Sequence, residues 1–491
     1  MGSIGGAYSP NFYDNKHYIN GEYVTSKNKE TYTVWNPKNG EVISDQMAIA
    51  GEDDINAAVE AAEAAYNGAW SKFSGQQRAA CLMKLAAIME EKMADILTLD
   101  SQSSGNPVSM IATREKNYII TAIKYYAGWT DKQKGDYYPD DDGFVKIVRH
   151  EPLGICAAVN PFNAPVATFI FKAAPALATG NVLIVKPSEK TPYGSLALAP
   201  LFEEAGFPKG VIQCVSGGGS TGAILASHMK IRKISFTGSV PTGQKIQIAA
   251  AKSNLKRVTL ELGGKSPAVI FEDANLDNAL TWTVNALLAR SGQVCVAATR
   301  IYVQKSIAEQ FIEKYVAKVK EAAGRLGDPQ DPNTGLGPLV DHLALERVTG
   351  MIERAKNDAE LVAGGNRKGD KGSFVEPTVF LNPKAGSEII EKEVFGPVSV
   401  VKTFETEEEV IKLANDTEYG LMAGVFTRDV TRAMRVSAKL DAGVVGVNCV
   451  SYMNMQAPFG GKKSSGIGRE FGEYALRAFT EPKTVLINMS A

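Results

Sequence analysis

Three residues far apart in the chain carry side chains that could together do covalent chemistry. Cys295 lies in SGQVCVAATR, Glu261 in LELGGKSP and Asn163 in NPFNAPV. A thiol can attack an electrophilic carbon, a carboxylate can accept a proton, and an amide can donate hydrogen bonds to a developing negative charge. Each residue also has a plainer interpretation, because free cysteines are usually small buried apolar residues and Asn163 and Glu261 both suit structural turns.

Two glycine patterns could place a dinucleotide near these residues. Gly217, Gly219 and Gly222 fit GxGxxG between the predicted strand VIQCV and a helix, but the acidic residue expected about 20 positions later is missing. This match is weak, and an ordinary turn explains it equally well. Gly238 and Gly243 in FTGSVPTG follow another predicted strand, where a helix N-terminus could meet a pyrophosphate.

A lysine and a glutamate close the predicted strand NVLIV. Lys186 and Glu189 lie in the segment KPSE, at the carboxyl end of that strand, and such ends border the ligand crevice of a parallel sheet. The pair could hold ribose hydroxyls, and the carboxylate would repel a 2′-phosphate, which favours NAD over NADP. The alternative is a solvated ion pair at a strand end.

The cysteines and histidines argue against a disulfide framework and against a metal site. The five cysteines are odd in number and form no CxxC pair, and the four histidines include no HExxH motif. A thiol protease would need an imidazole beside its cysteine, and nothing near the histidines indicates one. We therefore expect no bound metal and a reducing compartment.

The composition is that of an ordinary globular protein. The 491 residues include 53 basic and 54 acidic side chains, a net charge of −1, and 44% of the residues are apolar. Near-zero charge argues against a general affinity for nucleic acid or an anionic membrane. The most apolar stretch, 155–180, is interrupted by prolines and polar residues, and the N-terminus has no signal-peptide pattern. We expect a soluble cytoplasmic protein.

Alternating strand and helix patterns must position the candidate residues. Helical patterns cover 53–70 and 76–100, and a turn cluster precedes the predicted strand FVKIVRHEP. From residue 152 the β-rich runs GICAAVNP, NVLIVKP, VIQCVSG and KISFTGS alternate with helical segments at 164–177, 194–205 and 221–228. This alternation predicts an α/β fold with βαβ units around a parallel sheet. A second α/β block begins at SPAVIFED, and the chain ends in the apolar strand TVLIN.

Five segments, three of which belong to the motifs above, occur in this order along the chain: FTGS, LELGGKSP, GQVC, EVFGPV and PFGGKKSSGIGREFG. In this order and at these separations they resemble the NAD(P)-dependent aldehyde dehydrogenase superfamily. The similarity extends from about Tyr18 to Val485. Any one segment could arise by chance, but five in sequence are highly specific. The chain looks most like the hydrolytic, broad-specificity branch that includes the cytosolic and mitochondrial enzymes.

For catalysis, the resemblance implies that Cys295 is the nucleophile. Thiolate attack on an aldehyde creates a thiohemiacetal, which expels a hydride and leaves a thioester. The Asn163 amide and the Cys295 backbone N–H are expected to hold the oxyanion, and Glu261 to activate water for thioester hydrolysis. Relatives that transfer the acyl group to coenzyme A lack this carboxylate, so release as a free carboxylic acid is expected.

The resemblance also assigns the cofactor, NAD, to residues along the crevice. Lys186 and Glu189 are expected at the adenosine ribose, and Glu393 at the nicotinamide ribose with Phe395 packed beside it. The rest of the expected cofactor set comprises Ser188, Phe236, Thr237, Gly238, Ser239, Gly243 and Leu262. The family uses this GSxxxG crossing in place of the usual dinucleotide fingerprint, which reduces the weight of the glycines at 217–222.

The residues expected to line the substrate tunnel are uncharged, and they are Ala164, Phe171, Val294, Val296, Met453 and Phe459. Phe162 replaces the usual Trp before Asn163, and Ala164 stands where many relatives carry a large aromatic side chain, which should widen the entrance. An apolar, roomy site for aromatic or medium-chain aliphatic aldehydes is predicted. Arg290 and Ser291 replace smaller or amide residues before the nucleophile, and the sequence offers no physical account of them.

The resemblance divides the chain into three parts. Residues 1–127 and 151–261 are expected to form a Rossmann-like NAD-binding domain, residues 262–448 an α/β catalytic domain, and residues 128–150 with 449–491 a small β element for oligomerisation. A homodimer or homotetramer is implied by the family and by the exposed terminal strand. Two other functions are disfavoured alternatives: a catalytically silent structural or binding protein, and a thiol esterase without a redox role.

Overall fold

Short strands and helices alternate along most of the chain. The computed structural model of the protein describes residues 15–110 and 115–490. The strands of these residues, in chain order, are β1 His17–Ile19, β2 Glu22–Val24, β3 Thr31–Trp35, β4 Val42–Ala48, β5 Asp136–Tyr138, β6 Phe144–Pro152, β7 Ile155–Val159, β8 Val182–Lys186, β9 Ile212–Cys214, β10 Lys233–Thr237, β11 Arg257–Glu261, β12 Ser266–Ile270, β13 Ala298–Gln304, β14 Glu360–Ala363, β15 Thr378–Leu381, β16 Val398–Phe404, β17 Met422–Phe426, β18 Val444–Val447, β19 Gly466–Ile467 and β20 Thr480–Asn488.

The α-helices of the same part of the chain include one or two at each of the five segments predicted as helical. In chain order they are α1 Glu52–Asn67, α2 Gly75–Ser104, α3 Val108–Met110, α4 Lys116–Ala127, α5 Pro165–Ala178, α6 Tyr193–Leu198, α7 Pro200–Glu204, α8 Gly219–Ser227, α9 Val240–Lys252, α10 Leu276–Leu288, α11 Ala308–Ala323, α12 His342–Ala355, α13 Glu388–Glu391, α14 Glu407–Asn415, α15 Val430–Lys439 and α16 Gly472–Ala478. The single helix predicted over 194–205 is instead two, because Pro200 has no N–H to continue the hydrogen-bond ladder.

The first large sheet carries the predicted βαβ units. Its strand order is β19-β11-β10-β7-β8-β9-β1-β2, and the five strands from β11 to β9 are parallel. Every residue of β7 and β8 is buried. Burial on both faces is what a parallel sheet covered by helices requires, and it explains the unbroken apolar runs ICAAV and VLIV.

The second large sheet is built from the later part of the chain. Its order is β14-β15-β16-β13-β12-β17-β18, with parallel pairing throughout except between β14 and β15. Residues 262–265 join β11 of the first sheet directly to β12 of the second. The two largely parallel sheets confirm the predicted α/β fold class. The segment that joins them begins directly after Glu261.

A small antiparallel sheet contains the end of the chain. Its order is β20-β6-β5, and β20 pairs with the whole length of β6, from Thr480 opposite Pro152 to Asn488 opposite Phe144. The predicted strand TVLIN lies inside β20. This strand is at the edge of its sheet, and Leu486 and Ile487 are largely exposed. No helix among residues 15–110 and 115–490 is long and apolar enough to cross a lipid bilayer.

Candidate active site

The carboxyl ends of four parallel strands form one row of residues. In the register of the first sheet, Lys186 of β8 pairs with Val159 of β7, Val159 with Phe236 of β10, and Thr237 of β10 with Glu261 of β11. The ends of parallel strands meet at one edge of a sheet, where ligands of open α/β folds bind. The row therefore brings residues from three of the predicted motifs to one crevice.

Cys295 lies on a tight loop between α10 and β13. Three consecutive residues before it, Arg290, Ser291 and Gly292, have left-handed backbone conformations with φ of 49°, 55° and 73°. A side chain at Gly292 would collide with the backbone at Gly396, since an added Cβ would lie 2.1 Å from that carbonyl oxygen. The loop is thus held against the segment that follows Glu393.

Hydrogen bonds from side chains hold the same loop in place. The Ser291 hydroxyl donates to the carbonyl of Gly337 at 2.7 Å, and the Gln293 amide oxygen accepts from the N–H of Val340 at 3.0 Å. Burial raises the pKa of the Cys295 thiol to about 12, with further contributions from the negative charges of Glu393 and Glu261. The thiol is therefore protonated at neutral pH, and it would need a base to become a nucleophile.

Glu261 is a buried carboxylate with no hydrogen-bond partner. Its side chain ends β11, is 3% exposed, and neither carboxylate oxygen has a partner among the described residues. Burial raises its pKa well above the ordinary value, and the charge of Glu470 adds to this, while Lys172 and Arg469 oppose it. An unpaired, desolvated carboxylate is a strong proton acceptor, which is the property that a general base needs.

A buried ion pair lies behind Glu261. The ammonium group of Lys172, on α5, contacts Glu470 and also donates to the hydroxyl of Ser235 at 2.9 Å. Sequence analysis missed this group as part of the site. The available signal was a lysine in the middle of an otherwise apolar helix, PVATFIFKAAPALA, because such a lysine must find an acid when it is buried.

Asn163 is hydrogen-bonded to the loop that carries Cys295. Its side-chain N–H donates to the carbonyl of Gln293 at 2.7 Å. An amide nitrogen carries two hydrogens, so one can hold the loop while the second stays free for an oxyanion. The structure therefore brings Asn163 beside the loop that carries Cys295.

The cofactor candidates at the β8 end have their polar groups arranged in advance. The Lys186 ammonium donates to the carbonyls of Pro187 and Gly217, at 2.8 and 2.6 Å, and lies 3.7 Å from the Glu189 carboxylate. The Glu189 side chain is about half exposed and faces solvent at the crevice rim. The carbonyl of Gly217 thus helps to hold the Lys186 ammonium in place. The Ser188 hydroxyl accepts a hydrogen bond from the Lys190 N–H at 3.3 Å, within its own turn.

The segment after β10 leads into a helix whose first amides have no side-chain cap. Ser239 precedes α9 but does not cap it, since its hydroxyl bonds to Thr242 at 3.0 Å. The N-terminal end of α9 therefore keeps its positive dipole and its open amides for an anion. A Cβ at Gly238 would lie 2.4 Å from the Phe236 ring, so a side chain would not fit there.

Two more features of this segment fit a dinucleotide. A Cβ at Gly243 would lie 2.7 Å from Leu262, so α9 packs closely against the segment that follows Glu261. The Thr237 hydroxyl is buried and has no hydrogen-bond partner within residues 15–110 and 115–490. A buried polar atom without a partner is costly unless a ligand completes it.

Glu393 borders the other side of the crevice. One of its oxygens accepts the N–H of Gly264 at 2.9 Å, and a Cβ at Gly263 would lie 2.4 Å from the other. Burial raises the pKa of Glu393 to about 7, while the Gly264 hydrogen bond and the charge of Lys265 lower it. Phe395, the next residue but one, packs edge-on against Phe162 with ring centroids 5.6 Å apart.

The predicted tunnel residues belong to one apolar cluster. Phe171, Val296 and Phe459 are buried in it, and Ala164, Val294, Met453 and Cys295 pack against it. Two aromatic residues that the sequence did not indicate pack against the predicted tunnel residues. Phe471 contacts both Phe171 and Phe459, with centroids 5.0 and 5.5 Å apart, and Tyr118 contacts Phe171 at 5.6 Å.

Comparison with known proteins identifies the family. The family model for the aldehyde dehydrogenase family matches residues 23–485. This chain belongs to the aldehyde dehydrogenase family. It is 43% identical over 479 residues to aldehyde dehydrogenase, cytosolic 1, of Rattus norvegicus, a match that covers 97% of this chain and 95% of the relative. It is 41% identical over 484 residues to the mitochondrial aldehyde dehydrogenase of the same species, covering 98% and 93%.

A solved structure supports the same conclusion. An NAD⁺ complex of an aldehyde dehydrogenase from Bacillus cereus superimposes with a TM-score of 0.93 and 40% identity, and the match covers 96% of each chain. The predicted superfamily, the fold class and the assignment as an aldehyde dehydrogenase enzyme are confirmed. NAD, the cofactor predicted for this aldehyde dehydrogenase, is the one bound in that relative. The individual site residues and the domain boundaries remain predictions.

Proposed function

We propose that this aldehyde dehydrogenase oxidises an apolar aldehyde to the carboxylic acid through a thioester on Cys295, with Glu261 as the general base. The observation that carries the proposal is the unpaired buried carboxylate of Glu261, whose charge acts on the Cys295 thiol. A buried carboxylate without a partner is expensive to keep. Proton transfer during catalysis is a physical reason for its presence.

In the first half of the reaction, Glu261 accepts the proton of the Cys295 thiol as the sulfur bonds to the carbonyl carbon. The carbonyl oxygen becomes an oxyanion, which accepts hydrogen bonds from the Asn163 amide and from the backbone N–H of Cys295. Bound NAD supplies the acceptor for the hydride that leaves this carbon. Loss of the hydride converts the adduct into a thioester between the acyl group and Cys295.

In the second half, Glu261 first releases the thiol proton to solvent and then takes a proton from water as the water oxygen attacks the thioester carbon. The C–S bond breaks, the acid leaves, and Glu261 passes the water proton to the sulfur, which restores the thiol of Cys295. The ion pair of Lys172 with Glu470 acts on Glu261 through charge alone, since Glu470 raises the pKa of Glu261 and Lys172 lowers it. The sum is aldehyde, water and NAD⁺ giving carboxylic acid, NADH and one proton.

The residues proposed to hold NAD are those whose geometry favours a dinucleotide. Lys186 and Glu189 would bind the adenosine ribose, the N-terminus of α9 the pyrophosphate, and Glu393 the nicotinamide ribose. The open carboxylate of Glu189 supports a preference for NAD over NADP, because it would repel a 2′-phosphate.

The proposed substrate class follows from the lining of the tunnel. The aromatic rings of Phe171, Phe459 and Phe471 contact one another in a continuous apolar wall. The small side chain of Ala164 adds width near Asn163. Aromatic or medium-chain aliphatic aldehydes would gain about 25 cal/mol for each Å² of apolar surface that this wall covers.

A homo-oligomer and a cytoplasmic location complete the proposal. The edge strand β20 presents unpaired backbone groups together with exposed Leu486 and Ile487, which favours pairing with a second copy. All five cysteines are free thiols, which suits a reducing compartment. Light scattering of the purified protein tests the subunit count, and fractionation of the source cells tests the compartment.

The deciding experiment traps the acyl group. In Glu261→Gln, solvent can still accept the Cys295 proton, so the thioester should form more slowly than in wild type, and its hydrolysis should slow further, by about 10²–10⁴-fold, the usual contribution of a general base. We expect a burst of NADH followed by slow turnover, and an acyl adduct on the peptide that contains Cys295 by mass spectrometry. The matched control Glu204→Gln removes a surface carboxylate and should behave as wild type. An adduct on another residue would refute the assignment.

A further inference from the structure

The arginine before the nucleophile, which the sequence left unexplained, makes two short hydrogen bonds beneath the site. One Arg290 Nη donates to the backbone carbonyl of Asn163 at 2.5 Å, and the other to the carboxylate of Glu115 at 2.6 Å. The ion pair is mostly buried, with side-chain exposures of 17% for Arg290 and 7% for Glu115. Charge-assisted bonds of this kind are short and about twice as strong as neutral ones.

The carbonyl that Arg290 binds belongs to a residue whose backbone α5 does not hold. Asn163 precedes Ala164, the residue that caps α5, and the first backbone hydrogen bond of that helix runs from Thr168 N–H to the carbonyl of Ala164 at 2.9 Å. The carbonyl of Asn163 is held by side chains, those of Arg290 and of Asn106 at 3.1 Å. The direction of the Asn163 amide therefore depends on these contacts.

The two ends of Asn163 are attached to the same loop. Its side-chain amide donates to the carbonyl of Gln293, and its backbone carbonyl accepts from Arg290. Arg290 also has a left-handed backbone, with φ of 49° and ψ of 36°, and its own carbonyl accepts two hydrogen bonds from Gln293, each 3.1 Å long. The loop that carries the nucleophile is thus bonded to the oxyanion donor at two points.

We propose that Arg290, held by Glu115, is a positioning residue that sets the place of the Asn163 amide relative to the Cys295 sulfur. This inference rests on the proposed roles of Asn163 and Cys295. Arg290 touches neither the aldehyde nor the sulfur, and it acts through the backbone of Asn163. The guanidinium is suited to this task because its planar fork can bind a carbonyl and a carboxylate together, whereas a lysine ammonium offers no such fork.

The test compares Arg290→Met and Arg290→Lys with Asn163→Ala and with the double variant Asn163→Ala/Arg290→Met. Losing an oxyanion donor typically lowers the rate about 10²–10³-fold, so we expect Asn163→Ala to fall in that range and Arg290→Met to lose about 10–10²-fold in kcat. Arg290→Lys should recover part of the loss, and Glu115→Gln should show a smaller loss in the same direction. KM for NAD should not change in any of them.

The double variant separates positioning from a general structural effect. If Arg290 acts only through Asn163, the double variant should be no slower than Asn163→Ala alone, because effects in one unit do not add. If the two losses multiply, the proposal is overturned. The backbone conformation at position 290 is common to the Lys and Met variants, so the difference between them reports the positive charge of the side chain and not the backbone.

Two further measurements keep the result clear. Alkylation of Cys295 by iodoacetamide requires no oxyanion, so its rate should match wild type in Arg290→Met, and a slow rate would mean a collapsed loop and would overturn the inference. Arg354→Met breaks an exposed ion pair with Glu388 and serves as the matched control. Activity in Cys295→Ala would overturn the proposed function itself, whereas full activity of Arg290→Met with Cys295 essential would overturn only this inference.

Discussion

The two ends of the crevice differ in how their polar groups are satisfied. At the cofactor end, the Lys186 ammonium already bonds two carbonyls and Glu393 already accepts a backbone N–H. At the chemical end, both oxygens of Glu261 are buried without a partner, and burial raises the pKa of Cys295 to about 12. The charged groups of Lys186 and Glu393 are thus held by hydrogen bonds in advance, whereas the proton affinities of Glu261 and Cys295 are raised by desolvation.

The largest effect should come from removing the thiol. Cys295→Ala should lower NAD-dependent oxidation by at least about 10⁴-fold, since loss of a covalent nucleophile removes the reaction path. Binding of NAD, measured by titration calorimetry, should stay near the wild-type value because Cys295 belongs to the chemical end alone. Cys449→Ala, which removes another partly exposed cysteine, is the control. Weakened NAD binding in Cys295→Ala would show that the two ends are not separable.

A smaller effect is expected at the cofactor end. Glu189→Gln removes the charge that would oppose a 2′-phosphate, so the ratio of kcat/KM for NAD over NADP should fall about tenfold, which corresponds to about 1.4 kcal/mol. The acyl transfer steps should be unaffected. Glu204→Gln, on the surface next to Lys92, controls for a general change in charge. An unchanged NAD/NADP ratio would remove Glu189 from the cofactor site.

A bulkier side chain at the entrance of the proposed tunnel should change the substrate preference by about tenfold. Ala164→Phe would fill the space beside Asn163, so kcat/KM for benzaldehyde should drop relative to acetaldehyde, by about 10-fold for one to two kcal/mol of lost contact. Ala164→Ser keeps the side chain small and should leave the ratio unchanged. A wild-type preference for betaine aldehyde or a semialdehyde acid over benzaldehyde would contradict the apolar tunnel.

The smallest effect concerns stability. The folded-state pKa of Glu261 is raised above the unfolded value of about 4.3, so the wild type loses stability as pH rises above that value. Glu261→Gln does not titrate, and at pH 8 its thermal midpoint should be higher than that of wild type, by an amount equivalent to roughly 1 kcal/mol. The gain should shrink toward pH 4.5. Scanning calorimetry at both pH values measures it, and a less stable variant at pH 8 would show that the carboxylate is paired after all.

Several features of the fold were accessible from local patterns. The apolar runs ICAAV and VLIV predicted buried parallel strands, and β7 and β8 lie there. The same patterns could not find the break between α6 and α7, where Pro200 interrupts a helix that the apolar spacing would continue. Local patterns report helix propensity and the period of the apolar residues. The interruption between α6 and α7 depends instead on one missing backbone hydrogen bond.

The contacts of the site were less accessible. The segments around Cys295, Glu261 and Asn163 indicated the chemistry, but the Lys172–Glu470 pair joins residues 298 positions apart. Arg290 reaches Glu115 across 175 positions. Long-range pairs of this kind leave no spacing signal in one sequence. A charged residue in an apolar helix, such as Lys172, indicates that a partner exists but not which residue it is.

By itself, the sequence determined the alternation of strands and helices, the family and the set of reactive side-chain types, because these depend on residue identity and on neighbours along the chain. Only the tertiary structure decided which carboxylate among the described residues is buried without a partner, which charges act on the Cys295 thiol, and which arginine binds the backbone carbonyl of Asn163. Burial and the proximity of charges arise only when distant segments pack together. Desolvation is the main cause that raises the pKa of both Glu261 and Cys295 above their ordinary values.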